Sequence, residues 1–259
     1  MSQYNFFRFG RTKISVTTVN NTLEAIDTCI NGNKCEYITI ANLRTSVFAH
    51  NNKLYRDIVN NAYLNTPDGM PLVWCGRLAG KKTIERTCGP DVFIESLKKG
   101  EKGYNHFFLG DTQDTLDKLV SKVKDEYGAK IAGAYSPEFV SSYEDYDYKK
   151  IASLIKDSGA DIIWVALGAP KQDFFSERLS KELDKGAIIG VGAAFRFVLG
   201  EYKDPPKAFK KLALTGLFWR VKDHPFQSLI WYIKHFSYLI YFMTVILLNR
   251  ILKLKIHHE

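Results

Sequence analysis

Asp68 stands in Thr66-Pro67-Asp68-Gly69, directly before an apolar stretch. A carboxylate stiffened by Pro and Gly can act as a general base, taking the proton from an attacking hydroxyl. The same residues also suit a helix start, with Thr66 as cap, Pro67 at the first position and Asp68 at the positive end of the dipole. The two readings are compatible. The second group closes the segment DIIWVALGAPKQ, residues 161–172. Here Pro170 suits the first position of a helix. Lys171 and Gln172 then fall in its first turn, where free backbone N–H groups favour phosphate. Gly168 lets a ligand come close to the backbone. A solvated helix start with a surface lysine is the plain alternative.

Other groups point less clearly to chemistry. Gly190-Val-Gly192-Ala-Ala-Phe195 matches only part of a dinucleotide fingerprint: the third glycine and the acidic partner about 20 residues on are missing. Asp145-Tyr-Asp147 has the DxD form that holds a divalent metal in many sugar transferases. It lies in SSYEDYDYKK, which reads as an acidic helix start. The cysteines Cys29, Cys35, Cys75 and Cys88 form no CxxC pair and have no histidine at zinc-site spacing. They are expected to be reduced thiols, with no structural metal.

The elements that must position these groups follow from periodicity. Apolar runs at 106–109, 130–134, 162–167 and 187–191 alternate with helical patterns at about 112–126, 144–157 and 172–183. Strands alternating with helices of this length predict βαβ units and a doubly wound, mostly parallel sheet, a Rossmann-like α/β fold. Ligands in such sheets bind outside the carboxyl ends of the strands. Upstream, the sequence predicts a hairpin around Gly10, a helix capped by Asn20 or Asn21 and running to about Asn31, and a strand over 37–41. A helix over 45–62, a turn over 65–69, and helices over 70–78 and 89–98 complete the expected core.

The core is expected to span residues 1–202, with 203–259 as a basic and apolar helical appendage. Of the net charge of +8, +7 falls in the appendage, which holds ten Lys/Arg against three Asp/Glu. A near-neutral core argues against nucleic acid as a partner. Residues 229–248 are apolar except for Lys234, His235, Ser237 and Thr244, and basic residues flank both sides: Arg220 and Lys222 before, Arg250, Lys253 and Lys255 after. A single span would put one cluster on the wrong side of the membrane. An interfacial or re-entrant helix keeps both at the anionic inner-membrane surface. The N-terminal MSQYNFFRFGR has no apolar core for a signal peptide, so the protein is expected at the cytoplasmic face of the membrane, attached peripherally.

Together the motifs resemble the WecG/TagA/CpsF glycosyltransferases, bacterial enzymes of cell-wall and capsule polymer synthesis. The likeness runs over about residues 6–225. It rests on Asn42 after a strand, Thr66-Pro-Asp-Gly69, Glu85-Arg86 with Gly89 and Asp91, the Gly168–Gln172 loop and Gly190-Val-Gly192-Ala-Ala-Phe195. The resemblance implies an inverting transfer of a sugar, often of N-acetylmannosamine type, from a UDP-sugar to a polyprenyl-diphosphate-linked sugar. It implies no metal or other cofactor. By motif, Asp68 is the base, Asn42 and Gln172 contact the donor, and Arg220 steadies the diphosphate. Thr39, Arg86 and Asp91 join the expected binding set, with Gly168, Lys171 and Arg196 around the diphosphate and Phe139 stacked on uracil. The chain departs from the pattern at three places: Ile40, where a Thr is common; Arg196, where an Asp is frequent; and Thr215-Gly216, in place of Glu-Trp.

This reading requires Asp68 and the 168–172 loop to share one crevice. Its competitors are a nucleotide-dependent oxidoreductase, which would bind NAD(P)H; a non-catalytic membrane adaptor, indifferent to Asp68→Ala; and metal-dependent transfer through Asp145 and Asp147, lost in EDTA. A homo-oligomer is left open.

Overall fold

The structure, a computed structural model, describes residues 4–100, 103–202 and 225–256. Strands β1 (Phe6–Phe9) and β2 (Thr12–Ser15) form the expected antiparallel hairpin. Then follow helix α1 (Val19–Ile30), strand β3 (Cys35–Ala41), helices α2 (Leu43–Asn51) and α3 (Lys53–Asn61), strand β4 (Leu64–Pro67) and helices α4 (Met70–Leu78) and α5 (Gly89–Leu97). The second half alternates strictly: β5 (His106–Gly110), α6 (Gln113–Tyr127), β6 (Ile131–Tyr135), α7 (Tyr148–Ser158), β7 (Ile162–Ala166), α8 (Lys171–Ser180), β8 (Gly186–Gly190) and α9 (Ala194–Val198). Helix α10 (Pro225–Ile256) ends the described chain.

Six strands form one parallel sheet in the order β4-β3-β8-β7-β5-β6, with helices on both faces. The fold is the expected Rossmann-like one. Along β7, Ile162 and Trp164 face a core shared with α1, α5, α6 and α9, while Ile163 and Val165 face a second core shared with α3, α7 and α8. Both faces are covered, and that is why the run carries no polar alternation.

Several local expectations are corrected. Thr18, rather than Asn20 or Asn21, caps α1, its hydroxyl accepting from Asn21 N. The helix expected over 45–62 is two helices. Asn52 breaks it by capping α3 through Tyr55 N, a polar side chain competing locally with the helical ladder. Residues 65–67 of the turn expected over 65–69 instead form, with Leu64, edge strand β4 against β3, where the missing N–H of Pro67 is tolerated. Thr66 therefore caps nothing; its hydroxyl donates to Thr87 O at 3.1 Å, and Gly69, at φ +99°, holds the position before α4. The helix expected from 144 begins at Tyr148. Asp145 accepts from Ser142 N and Asp147 from Lys150 N, so the DxD acids cap a 3-10 turn and α7, as the helix-start reading had it.

The hairpin, α4 and α10 build a third core. Leu239 and Phe242 of α10 pack among Phe7, Phe9, Leu72 and Val73, with the Phe9 and Phe242 rings 4.6 Å apart. Arg250 donates to Leu78 O at the carbonyl end of α4. We expect Phe242→Ala to cost about 3–5 kcal/mol of docking. Limited proteolysis should then cleave within 225–256 while the sheet stays intact; unchanged resistance would contradict this packing.

Candidate active site

The carboxyl edge of the sheet gathers one loop from each strand. In spatial order it carries Asp68 after β4, Asn42 after β3, Gly192 after β8, Gly168 after β7, Asp111 after β5 and Ser136 after β6. A parallel sheet places ligands at this edge.

Asp68 is set by its backbone, whose N–H donates to Ala41 O at 2.6 Å, and by the return of the chain along β4. Thr87 N donates to Pro67 O, which brings Arg86 alongside. Arg86 Nε lies 3.8 Å from Asp68 Oδ1, Nη1 lies 3.4 Å from Asp91 Oδ2, and Nη2 donates to Cys88 Sγ at 3.0 Å. The Asp68 side chain is 34% exposed. Burial by its surroundings pushes its carboxyl above the usual range and Asp91 adds to this, while Arg86 opposes it. A carboxylate with a raised pKa and an open face is suited to receiving a proton. Asp68, Arg86 and Asp91, three of the expected site residues, are thus brought together.

The 168–172 loop behaves differently from expectation. Pro170 occupies the position before α8 rather than its first turn, after a cis Ala169–Pro170 bond. The N–H groups of Gln172, Asp173 and Phe174 donate to the carbonyls of Gly168 and Pro170 instead of facing outward. Gln172 is 3% exposed, and its Oε1 accepts from both Gly168 N (3.1 Å) and Gly192 N (3.0 Å). It ties the ends of β7 and β8 together. A Cβ on Gly190 would lie 2.9 Å from Gln172 Nε2, so the room this glycine leaves is filled by a side chain rather than left for a pyrophosphate. Lys171 donates to Val140 O at 2.6 Å and lies 4.8 Å over the ring of Phe139, which is 92% exposed.

The remaining expected residues divide. Asn42 caps α2 in a reciprocal box with Thr45, and stands at the edge. Thr39 is buried one turn of pleat lower, its hydroxyl donating to Asn65 Oδ1 at 2.9 Å, and does not reach the edge. Arg196 forms a two-pronged pair with Asp111, at 2.9 and 2.8 Å, and this pairing holds the Asp111 carboxyl below the usual range. Arg220 lies outside the described residues. Asp68 and the 168–172 loop share the edge but do not touch: β4 and β7 stand three strand spacings apart, about 14 Å. A ligand joining them must lie along the edge in extended form.

Sequence reasoning missed Asp111, although Gly110-Asp111 directly follows an apolar run, the signal used for Gly168. It also missed Arg44, which donates to Ala169 O at 2.8 Å from α2. No local pattern marks that residue, since its partner is 125 positions away.

The glycosyl transferase WecG/TagA/CpsF family model matches residues 7–253. An N-acetylglucosaminyldiphosphoundecaprenol N-acetyl-beta-D-mannosaminyltransferase of Bacillus spizizenii is 30% identical over 193 residues, 74% of this chain and 73% of that protein. The protein of the same name from Bacillus subtilis is 31% identical over 192 residues, 73% of this chain and 72% of its own length. A family match over nearly the whole chain, with relatives 30% and 31% identical over almost three quarters of it, establishes that this chain belongs to the WecG/TagA/CpsF family of glycosyltransferases.

Proposed function

We propose that the protein transfers an N-acetylmannosamine-type sugar, with inversion, from a UDP-sugar to a polyprenyl-diphosphate-linked sugar, in cell-surface polysaccharide synthesis. The observation that carries this reading is Asp68, half-open at the carboxyl edge and held by Arg86. The relatives' names supply the acceptor and sugar classes. Asp68 takes the proton of the acceptor hydroxyl as its oxygen bonds to the anomeric carbon. The carbon–oxygen bond to the diphosphate breaks on the opposite side, and UDP departs with the electron pair.

The donor lies along the edge. Its nucleoside rests towards Phe139, its diphosphate over β7 and β8, and its sugar towards Asn42 and Asp68. Charge on the departing diphosphate is met by Lys171, whose ammonium has donors beyond the one given to Val140 O, and by Arg220. Arg196 is already matched by Asp111, which leaves it a weaker share. No metal or other cofactor enters this scheme.

The acceptor's lipid requires a membrane, and the exposed apolar face of α10 supports attachment to one, on its cytoplasmic side in this reading. Residues 235–252 have a mean hydropathy of 1.4, and Phe236, Ile240, Leu248 and Leu252 are exposed along the helix. Leu239 and Phe242 are packed in the core, so the helix is anchored on one side and apolar on the other. That geometry favours a helix lying in the interface over one crossing it.

The test is a reaction of UDP-N-acetylmannosamine with a short-chain polyprenyl-diphosphate N-acetylglucosamine, with and without EDTA. Product is expected in both, with the configuration at the anomeric carbon inverted. Absence of transfer across a panel of UDP-sugars refutes the donor class, and loss in EDTA refutes the metal-free scheme.

A further inference from the structure

Behind the edge lies a buried acid that this reaction scheme does not use. Asp173 follows Gln172 in the first turn of α8 and is 1% exposed. Its Oδ2 accepts from the Tyr55 hydroxyl of α3 at 2.5 Å, and its Oδ1 has no partner among the described residues. Burial pushes this carboxyl up to about 7, with Tyr55 and Arg44 opposing the shift. A leucine would sit there at less cost in desolvation, so the acid calls for a reason.

The reason lies in what it joins. Arg44, two residues after Asn42, donates to Ala169 O in the Gly168 loop at 2.8 Å. Thr45, which forms the capping box with Asn42, also approaches the Tyr55 hydroxyl. The start of α2 is therefore tied to the start of α8 twice: near the surface through Arg44, and inside through Tyr55 and Asp173. These ties bridge the ends of β3 and β7, which β8 separates by two strand spacings, about 10 Å. Gln172 locks the end of β8 into the same unit.

We propose that Arg44, Tyr55 and Asp173 are positioning residues that fix the separation of Asn42 from the Gly168 loop, and through it the grip on the donor's nucleoside diphosphate. The inference rests on the donor placement proposed above. None of the three touches the donor; they set the span it must fit. A misplacement of about 1 Å in such a frame can cost on the order of 100-fold.

The experiment uses the full chain with Tyr55→Phe, Arg44→Ala and Arg44→Lys. It measures the UDP Kd by calorimetry, together with kcat and both KM values. The UDP Kd and donor KM are expected to rise about 10- to 100-fold in Tyr55→Phe and Arg44→Ala. The acceptor KM should hold, and Arg44→Lys, which still donates to Ala169 O, should recover most of the loss. A purely structural role would instead lower the apparent kcat and the calorimetric stoichiometry in step with the unfolded fraction while the UDP Kd and both KM values held, and that pattern overturns the proposal. So does an unchanged UDP Kd in the folded variants. Should Tyr55→Phe not fold, the partly exposed Arg44 decides alone. Wild-type protein that fails to bind UDP defeats the donor placement and this inference with it. Full turnover by Asp68→Asn beside a raised UDP Kd in Tyr55→Phe defeats only the assignment of the base.

Discussion

Asp68→Asn is expected to lower kcat by about 100- to 10,000-fold, the contribution of a positioned general base, while UDP binds as in the wild type. Asparagine keeps the shape and can still face Arg86, but it has no basic oxygen for the acceptor's proton. The pH profile offers a second readout. The proposed base works only when ionised, so activity should rise with pH through a limb displaced upward from the ordinary carboxylate value, because burial raises the carboxyl. That limb should vanish in the variant. Stability moves in the opposite direction. The folded-state pKa lies above the unfolded value of 3.8, so the folded protein holds this proton more tightly, and wild-type stability falls as pH rises from 3.8 through the folded-state value. The neutral variant escapes that loss and should be no less stable at neutral pH. A drop in kcat accompanied by a lower melting temperature would point to a damaged fold instead of a missing base.

Gly110→Ala is expected to destabilise the protein by about 2–5 kcal/mol, combining backbone strain and overpacking. Gly110 sits at φ +104°, and a Cβ there would lie 2.8 Å from Ala166 O and 2.9 Å from Ala166 C. Those atoms belong to β7, which pairs with β5 at this register position, so neither strand can yield alone. A fall in the melting temperature on the order of 10 °C should follow. Asp111 is the next residue, and its pair with Arg196 should loosen with the strand ends. An unchanged melting curve would show that the turn after β5 can relax in a way these contacts do not allow.

Much of this architecture was legible in the chain. The regular alternation after residue 105 predicted the parallel sheet, because strands covered on both faces must be apolar throughout and helices of the same spacing must return the chain. The held backbone at Asp68 was legible as well, since Pro and Gly around an acid directly before an apolar stretch restrict the chain whatever the surroundings. The DxD segment showed its capping role for a similar reason: the acids bond to N–H groups within three residues. Local chemistry leaves local traces.

What the tertiary structure decided was the direction in which polar side chains point. Gln172 and Arg196 were expected to face a ligand, yet one is spent on two backbone N–H groups and the other on Asp111, 85 positions away. Residues 64–67 became a strand because β3 offered an edge to pair with, a fact held by a different part of the chain. Arg44, Tyr55 and Asp173 gave no signal, since their partners lie more than 100 residues apart. A sequence fixes which groups can donate or accept, and over what short reach. Only the packed sheet, by bringing six strand ends to one edge, decides which of those groups meet each other and which stay open to a substrate.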